Sequence, residues 1–130
     1  MACLDTPFLV DVLRGKSEVR KLMEELDKNE DVLAVASPSI MELWLGASIA
    51  KASKAEKDKV NGLLESLEVF PLDEKSAKEA GEIEAELLAK NQNIETEDIM
   101  IAAIAKLHGQ KVVTRDNHYT KINGLSVLKY

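Results

Sequence analysis

Apolar and polar positions along this chain change period repeatedly, and each change marks an element. Ala2-Cys3-Leu4-Asp5 is a brief apolar run that predicts a buried strand with Asp5 at its carboxyl end. Thr6 is read as the cap of a following helix, with Pro7 at its first position and Gly15 just past its end. Val19, Leu22, Met23 and Leu26 recur at helical spacing, predicting a second helix from Ser17 to about Asn29. Val32 to Ala36 is a continuous apolar strand. Ser37-Pro38 then signals a helix start, and this helix carries Glu42 near its first turn among apolar neighbours.

Residues 50–68, rich in alanine and lysine, predict another helix, and Val69 to Leu72 a short strand. Asp73 is suited to cap a helix running through Lys90, with Ala77, Ala80, Ile83, Leu87 and Leu88 facing inward. A polar break at Asn91-Gln92-Asn93 precedes a helix that Thr96 is expected to cap and Gly109 to close; Glu97 and Asp98 fall in its first turn. Lys111 to Thr114 is a strand leading into Arg115-Asp116. Ser126 to Lys129 supplies a last edge strand after the Asn123-Gly124 turn.

Short strands alternating with helices specify an α/β fold with a central, mostly parallel sheet, because parallel strands need crossovers and helices fill them. A chain of 130 residues with 45% hydrophobic content is expected to form one domain over residues 1–130 without a disulfide framework. Cys3 has no second cysteine to pair with, which suits a reducing compartment. No apolar run approaches the roughly 18 residues of a membrane span, so a soluble cytoplasmic protein is expected.

A formal charge of −6 argues against a broad basic surface for gripping duplex nucleic acid, and 4% aromatic content leaves few platforms for stacking bases. Lys51, Lys54, Lys57 and Lys59 read as a solvated helix face. The helix around Trp44, Leu45 and Ile49 is apolar nearly all round, so it is either internal or covered by another chain.

Asp5, Glu42, Asp98 and Asp116 all fall where strands give way to helices, the edge at which open parallel sheets bind ligands. Clustered there, they would repel one another unless divalent cations neutralised them, and such cations would invert the local field. Each acid also has a plainer reading. Asp5 and Asp98 could complement helix dipoles, at about 0.3–1 kcal/mol each. Asp116 could be a turn residue. Glu42, flanked by Met41, Leu43, Trp44 and Leu45, is costly if buried without a partner.

Leu4-Asp5-Thr6 followed by Leu9-Val10, Ser39 to Gly46 around Met41-Glu42-Leu43, Glu97-Asp98-Ile99-Met100-Ile101-Ala102-Ala103, and Val113-Thr114-Arg115-Asp116 together resemble the PIN domain family. Within it they are similar to the small VapC-type ribonuclease toxins of toxin–antitoxin pairs. The ordered set spans nearly the whole chain. The resemblance implies a PIN-like three-layer fold in which Asp5, Glu42, Asp98 and Asp116 bind Mg²⁺ or Mn²⁺, as one or two ions, and Thr114 supports the last carboxylate. It further implies an RNA substrate, a cognate antitoxin and a homodimer. One departure is visible: where relatives often carry another acid just before an aromatic, this chain has His118 before Tyr119.

The leading expectation is a metal-dependent endoribonuclease with Asp5 and Asp98 on the primary metal and Glu42 and Asp116 completing the site or holding a second ion. A non-catalytic PIN-like binding module is the alternative, to which His118 lends weight. A phospho-receiver domain would need an acceptor aspartate at a strand end, and its nearest candidate, Asp58, lies in a helical, exposed segment. Thr6 and Thr96 are read as caps, Asp11 as an exposed helix acid, Glu95 and Glu97 as solvated or dipole-complementing, and His108 and His118 as surface residues. Arg115 suits either a substrate phosphate or solvent.

Overall fold

The computed structural model describes residues 1–29 and 32–130. Its strands β1 (Ala2–Leu4), β2 (Leu33–Ala36), β3 (Glu68–Phe70), β4 (Lys111–Thr114) and β5 (Val127–Lys129) form one sheet in the order β3-β2-β1-β4-β5. Every pairing among them is parallel. Helices α1 (Thr6–Leu13), α2 (Ser17–Asn29), α3 (Ser37–Ile49), α4 (Ser53–Glu65), α5 (Glu74–Ala89) and α6 (Thr96–Leu107) fill the crossovers, and a 3₁₀ turn follows β4 at Asn117–Lys121.

The period-2 alternation of the strands sorts side chains between two cores. Ala2, Leu4, Val35 and Val113 pack beneath α1 to α4, whereas Cys3, Ala36 and Val112 pack against α5 and α6. Three layers result, as the resemblance implies. Burial raises the Cys3 thiol to about 12, so it stays a neutral core group.

The chain runs outward from β1 through β2 to β3, then returns to the other side of β1 for β4 and β5. That reversal opens a crevice beyond the carboxyl ends of β1 and β4, the switch point where parallel sheets bind ligands. Cys3 pairs with Val112 and Leu4 with Val113, so the first residues after each strand meet at one place.

Several boundaries differ from expectation. Asp5, not Thr6, caps α1: its backbone is still extended (φ −76, ψ 169) and its carboxylate accepts from Phe8 N–H. Thr6 is therefore the first residue inside the helix, and Pro7 the second. Glu95, not Thr96, is the N-cap of α6, and it makes no side-chain capping bond. Helix α3 starts at Ser37 behind Ala36, which places Glu42 in the second turn rather than the first, and the Ser37 hydroxyl accepts from Leu72 N–H instead. The helix expected over 50–68 is shorter at both ends, and β3 begins one residue earlier than read. Asp73 caps α5 as anticipated, in a reciprocal box with Ser76. Gly109 ends α6 with a φ of 63, a left-handed bend that turns the chain back into β4 and that a Cβ would strain.

Candidate active site

Asp5 stands at the centre of the crevice because β1 ends there and α1 begins there. It is wholly buried. Oδ1 accepts from Phe8 N–H at 3.0 Å, while Oδ2 has no hydrogen-bond partner. An unpartnered anion in the interior is expensive, and burial pushes the Asp5 carboxyl up to about 6; the adjacent Thr114 hydroxyl and the Phe8 N–H offset part of the shift, and the charges of Asp116 and Asp98 add to it.

Thr114, the last residue of β4, is buried, and its Oγ1 accepts from Asp116 N–H at 3.0 Å. The hydroxyl thus holds the backbone of Asp116 rather than its carboxylate, and it lies beside the Asp5 carboxyl. Asp98, in the first turn of α6, takes a 3.1 Å hydrogen bond from the Tyr119 hydroxyl. Burial first, and then the Asp98 charge, raises the Tyr119 phenol, which keeps it a neutral donor. His118 Nε2 lies 3.0 Å from the other Asp98 oxygen, without the alignment of a hydrogen bond.

Glu42 reaches the crevice from α3. The Thr6 hydroxyl is 2.9 Å from its Oε1 and 2.8 Å from the buried Ser39 hydroxyl. Burial, followed by a hydrogen bond shared with Glu97, raises the Glu42 carboxyl to about 7, with the Thr6 hydroxyl opposing. Two carboxyls sharing one proton is the expected outcome when like charges converge.

Glu42, Asp98 and Asp116 line an open cleft of about 580 Å³, and the buried Asp5 carboxyl lies close enough to Asp116 and Asp98 to feel their charges. All four expected acids are brought together. Among the described residues no three acidic, imidazole or thiol groups stand as a ready-made metal cage. The unpartnered Asp5 oxygen nevertheless suits a hard cation, as does a donor set made of carboxylates.

Other assignments change. Thr6 is a hydroxyl donor to Glu42 rather than a cap, Glu97 complements the dipole in the first turn of α6 as read and also lines the cleft, and His118 packs on Asp98 rather than lying at the surface. Asp11 is not exposed: it is 2% accessible and paired with Lys16 and Arg115. The spacing of Phe8 and Asp11, three apart on one helix, would have placed Asp11 on the buried stripe. Tyr119 carries no short-range signal of its role. Asp58 sits exposed within α4, paired with Lys54, and not at a strand end, which removes the receiver reading.

A three-layer α/β/α chain with acids gathered at the switch point of an all-parallel sheet defines the class of molecule. The PIN domain family model matches residues 2–125, and the chain belongs to that family. It is 30% identical over 125 residues to the tRNA(fMet)-specific endonuclease VapC of Salmonella typhimurium, a match covering 95% of this chain and 93% of that one. The crystal structure of DNA-bound VapBC from the same species superposes with a TM-score of 0.89 at 29% identity, covering 98% of this chain and 96% of that one. The fold also matches VapBC2 from Rickettsia felis bound to a promoter DNA fragment, with a TM-score of 0.91, 24% identity and coverage of 99% and 98%.

Proposed function

We propose that this chain is an endoribonuclease dependent on Mg²⁺ or Mn²⁺, acting as the toxin of a toxin–antitoxin pair. The observation that carries the reading is the buried, unpartnered Asp5 Oδ2 close to the charges of Asp116 and Asp98, which with Glu42 line the cleft. Asp5 and Asp98 would hold the primary cation, with Glu42 and Asp116 completing the site or taking a second ion. Mg²⁺ keeps several of its waters, so an open carboxylate set is compatible with it. When bound, the cation would supply an acidified water and offset charge on the phosphoryl oxygens.

The chain's own residues do the positioning. Phe8 N–H fixes the Asp5 rotamer, Thr114 holds the backbone of Asp116, and Tyr119 fixes Asp98. Without a cation Glu42, raised to about 7 beside Glu97, holds a proton near neutrality, which a cation bound there would displace. The relatives named VapC support RNA as the substrate and an antitoxin as partner. The exposed apolar side of α3 supports a homodimer. Cys3 is a free thiol, and no helix among the described residues is long and apolar enough to cross a membrane, which fits a cytoplasmic site of action.

The test compares wild type with Asp5→Asn and Asp98→Asn on structured RNA, with Mg²⁺, Mn²⁺ or EDTA. Cleavage by wild type alone, abolished by EDTA, is expected; cleavage indifferent to both substitutions would sink the proposal. The second reading, a binding module without turnover, is favoured by one feature, the His118 imidazole set against an Asp98 oxygen. RNA binding with no cleavage under any metal would select it.

A further inference from the structure

An acidic cleft is a poor place to hold a polyanion, and its carboxylates alone do not explain how a nucleic acid strand stays there. Among the described residues lining the cleft, two carry a fixed positive charge, Arg14 at the end of α1 and Arg115 just after β4. Both line the cleft together with Asp11 and Asp116. Arg115 is half-exposed, and its Nη1 lies 3.0 Å from Asp11 Oδ2. The Asp11 side chain is only 3% exposed, and its Oδ1 is 3.1 Å from Lys16 Nζ.

A buried carboxylate needs a compensating cation, and Lys16 from the adjoining turn supplies one. The bond to Arg115 does something further. It reaches from α1 to the far side of the switch point and fixes the direction of a guanidinium beside Asp116. A guanidinium carries five N–H donors in a planar fork, so engaging Nη1 leaves donors for a second acceptor. The fork matches phosphate oxygens in two-point contact.

We propose that Arg115 and Arg14 form a phosphate-holding wall for the RNA strand, placing a phosphate next to the one cleaved, and that Asp11 is the positioning residue that aims Arg115. This inference rests on the nuclease reading above for its substrate. The resulting cleft is mixed in charge, with guanidinium groups for phosphates set among the carboxylates that would hold cations.

Unfractionated tRNA is the probe. Steady-state cleavage is measured for wild type, Arg115→Ala, Arg115→Lys, Arg14→Ala and Asp11→Asn, and tRNA affinity is measured by fluorescence anisotropy across a salt series in an Asp98→Asn background. Each arginine-to-alanine change is expected to raise KM about tenfold, with kcat held within about twofold. Each should also make the salt dependence of log Kd shallower by about 0.7. Arg115→Lys should restore the salt slope but not the full affinity, because the charge returns without the fork. Asp11→Asn should raise KM in the same direction as Arg115→Ala; if that variant does not fold, the two arginine variants carry the test.

Wild-type KM and salt slope in both arginine variants would overturn the inference, while an inactive wild type would overturn the nuclease reading instead. The anisotropy measurement needs no turnover and reads the wall in either case. Unchanged RNA binding with weakened capture of the cognate antitoxin would assign the arginines to a protein contact and also overturn the inference.

Discussion

Asp5 carries opposite demands on stability and on activity. Its folded carboxyl sits at about 6, against an ordinary value of 3.8. Because the folded state holds this proton more tightly than the unfolded chain does, the associated stability is present below about pH 4 and lost as pH rises through about 6. For a wholly buried group the loss is about 3 kcal/mol in the absence of cation. Asp5→Asn should therefore melt higher than metal-free wild type at pH 8 while losing at least about 100-fold in cleavage. Millimolar Mn²⁺ should raise the wild-type Tm at pH 8, raise it less at pH 5, and leave Asp5→Asn unmoved; calorimetry checks all three. Tyr119→Phe deletes the donor to Asp98 without emptying the core, so cleavage should fall about tenfold with a stability change of about 1 kcal/mol. Full activity in that variant would show that Asp98 needs no help from Tyr119.

Helices and strands explain which of these residues could be read in advance. Asp5, Glu42, Asp98 and Asp116 were legible because strand ends and helix starts are marked by local chemistry, and parallel sheets gather such positions at one edge. The caps were misplaced because Asp5 and Thr6 are both good cap formers, and because Glu95 takes the cap position of α6 without making a capping bond; only the backbone leaving the extended region decides between neighbours. Roles that depend on packing between distant elements had no such signal: Glu97 against Glu42, Tyr119 on Asp98 and Arg115 on Asp11 join residues from different helices and loops. Helix α5 offers a control at this scale. Its Asp73–Ser76 capping box lies outside the cleft lining, so Asp73→Ala should lower the denaturation midpoint and leave cleavage per folded molecule unchanged.

Taken as one body, the molecule leaves a stripe uncovered. Met41, Leu45 and Ile49 follow one another four residues apart along α3, and Leu45 and Ile49 are 56% and 77% exposed. Side chains at that spacing share one helix face, and the Trp44 ring beside them is overlain by Lys57 at 5.4 Å. Single exposed apolar residues are ordinary, but a row of them supports association. On the proposed homodimer, wild type is expected to sediment as a dimer and the double variant Leu45→Glu, Ile49→Glu as a monomer, with the pH dependence of melting unaltered; identical sedimentation of the two would remove this face from the proposal.

The polar break at 91–95 also divides the molecule in a way that matters for control. On one side lie β1, β2 and β3 with Asp5 and Glu42; on the other lie β4 and β5 with Asp98 and Asp116. A single proteolytic nick there would leave each fragment with two of the four acids and an open edge of the sheet. Neither fragment would hold the full acidic set, so the site is complete only while the pairing of β1 with β4 keeps the two halves together.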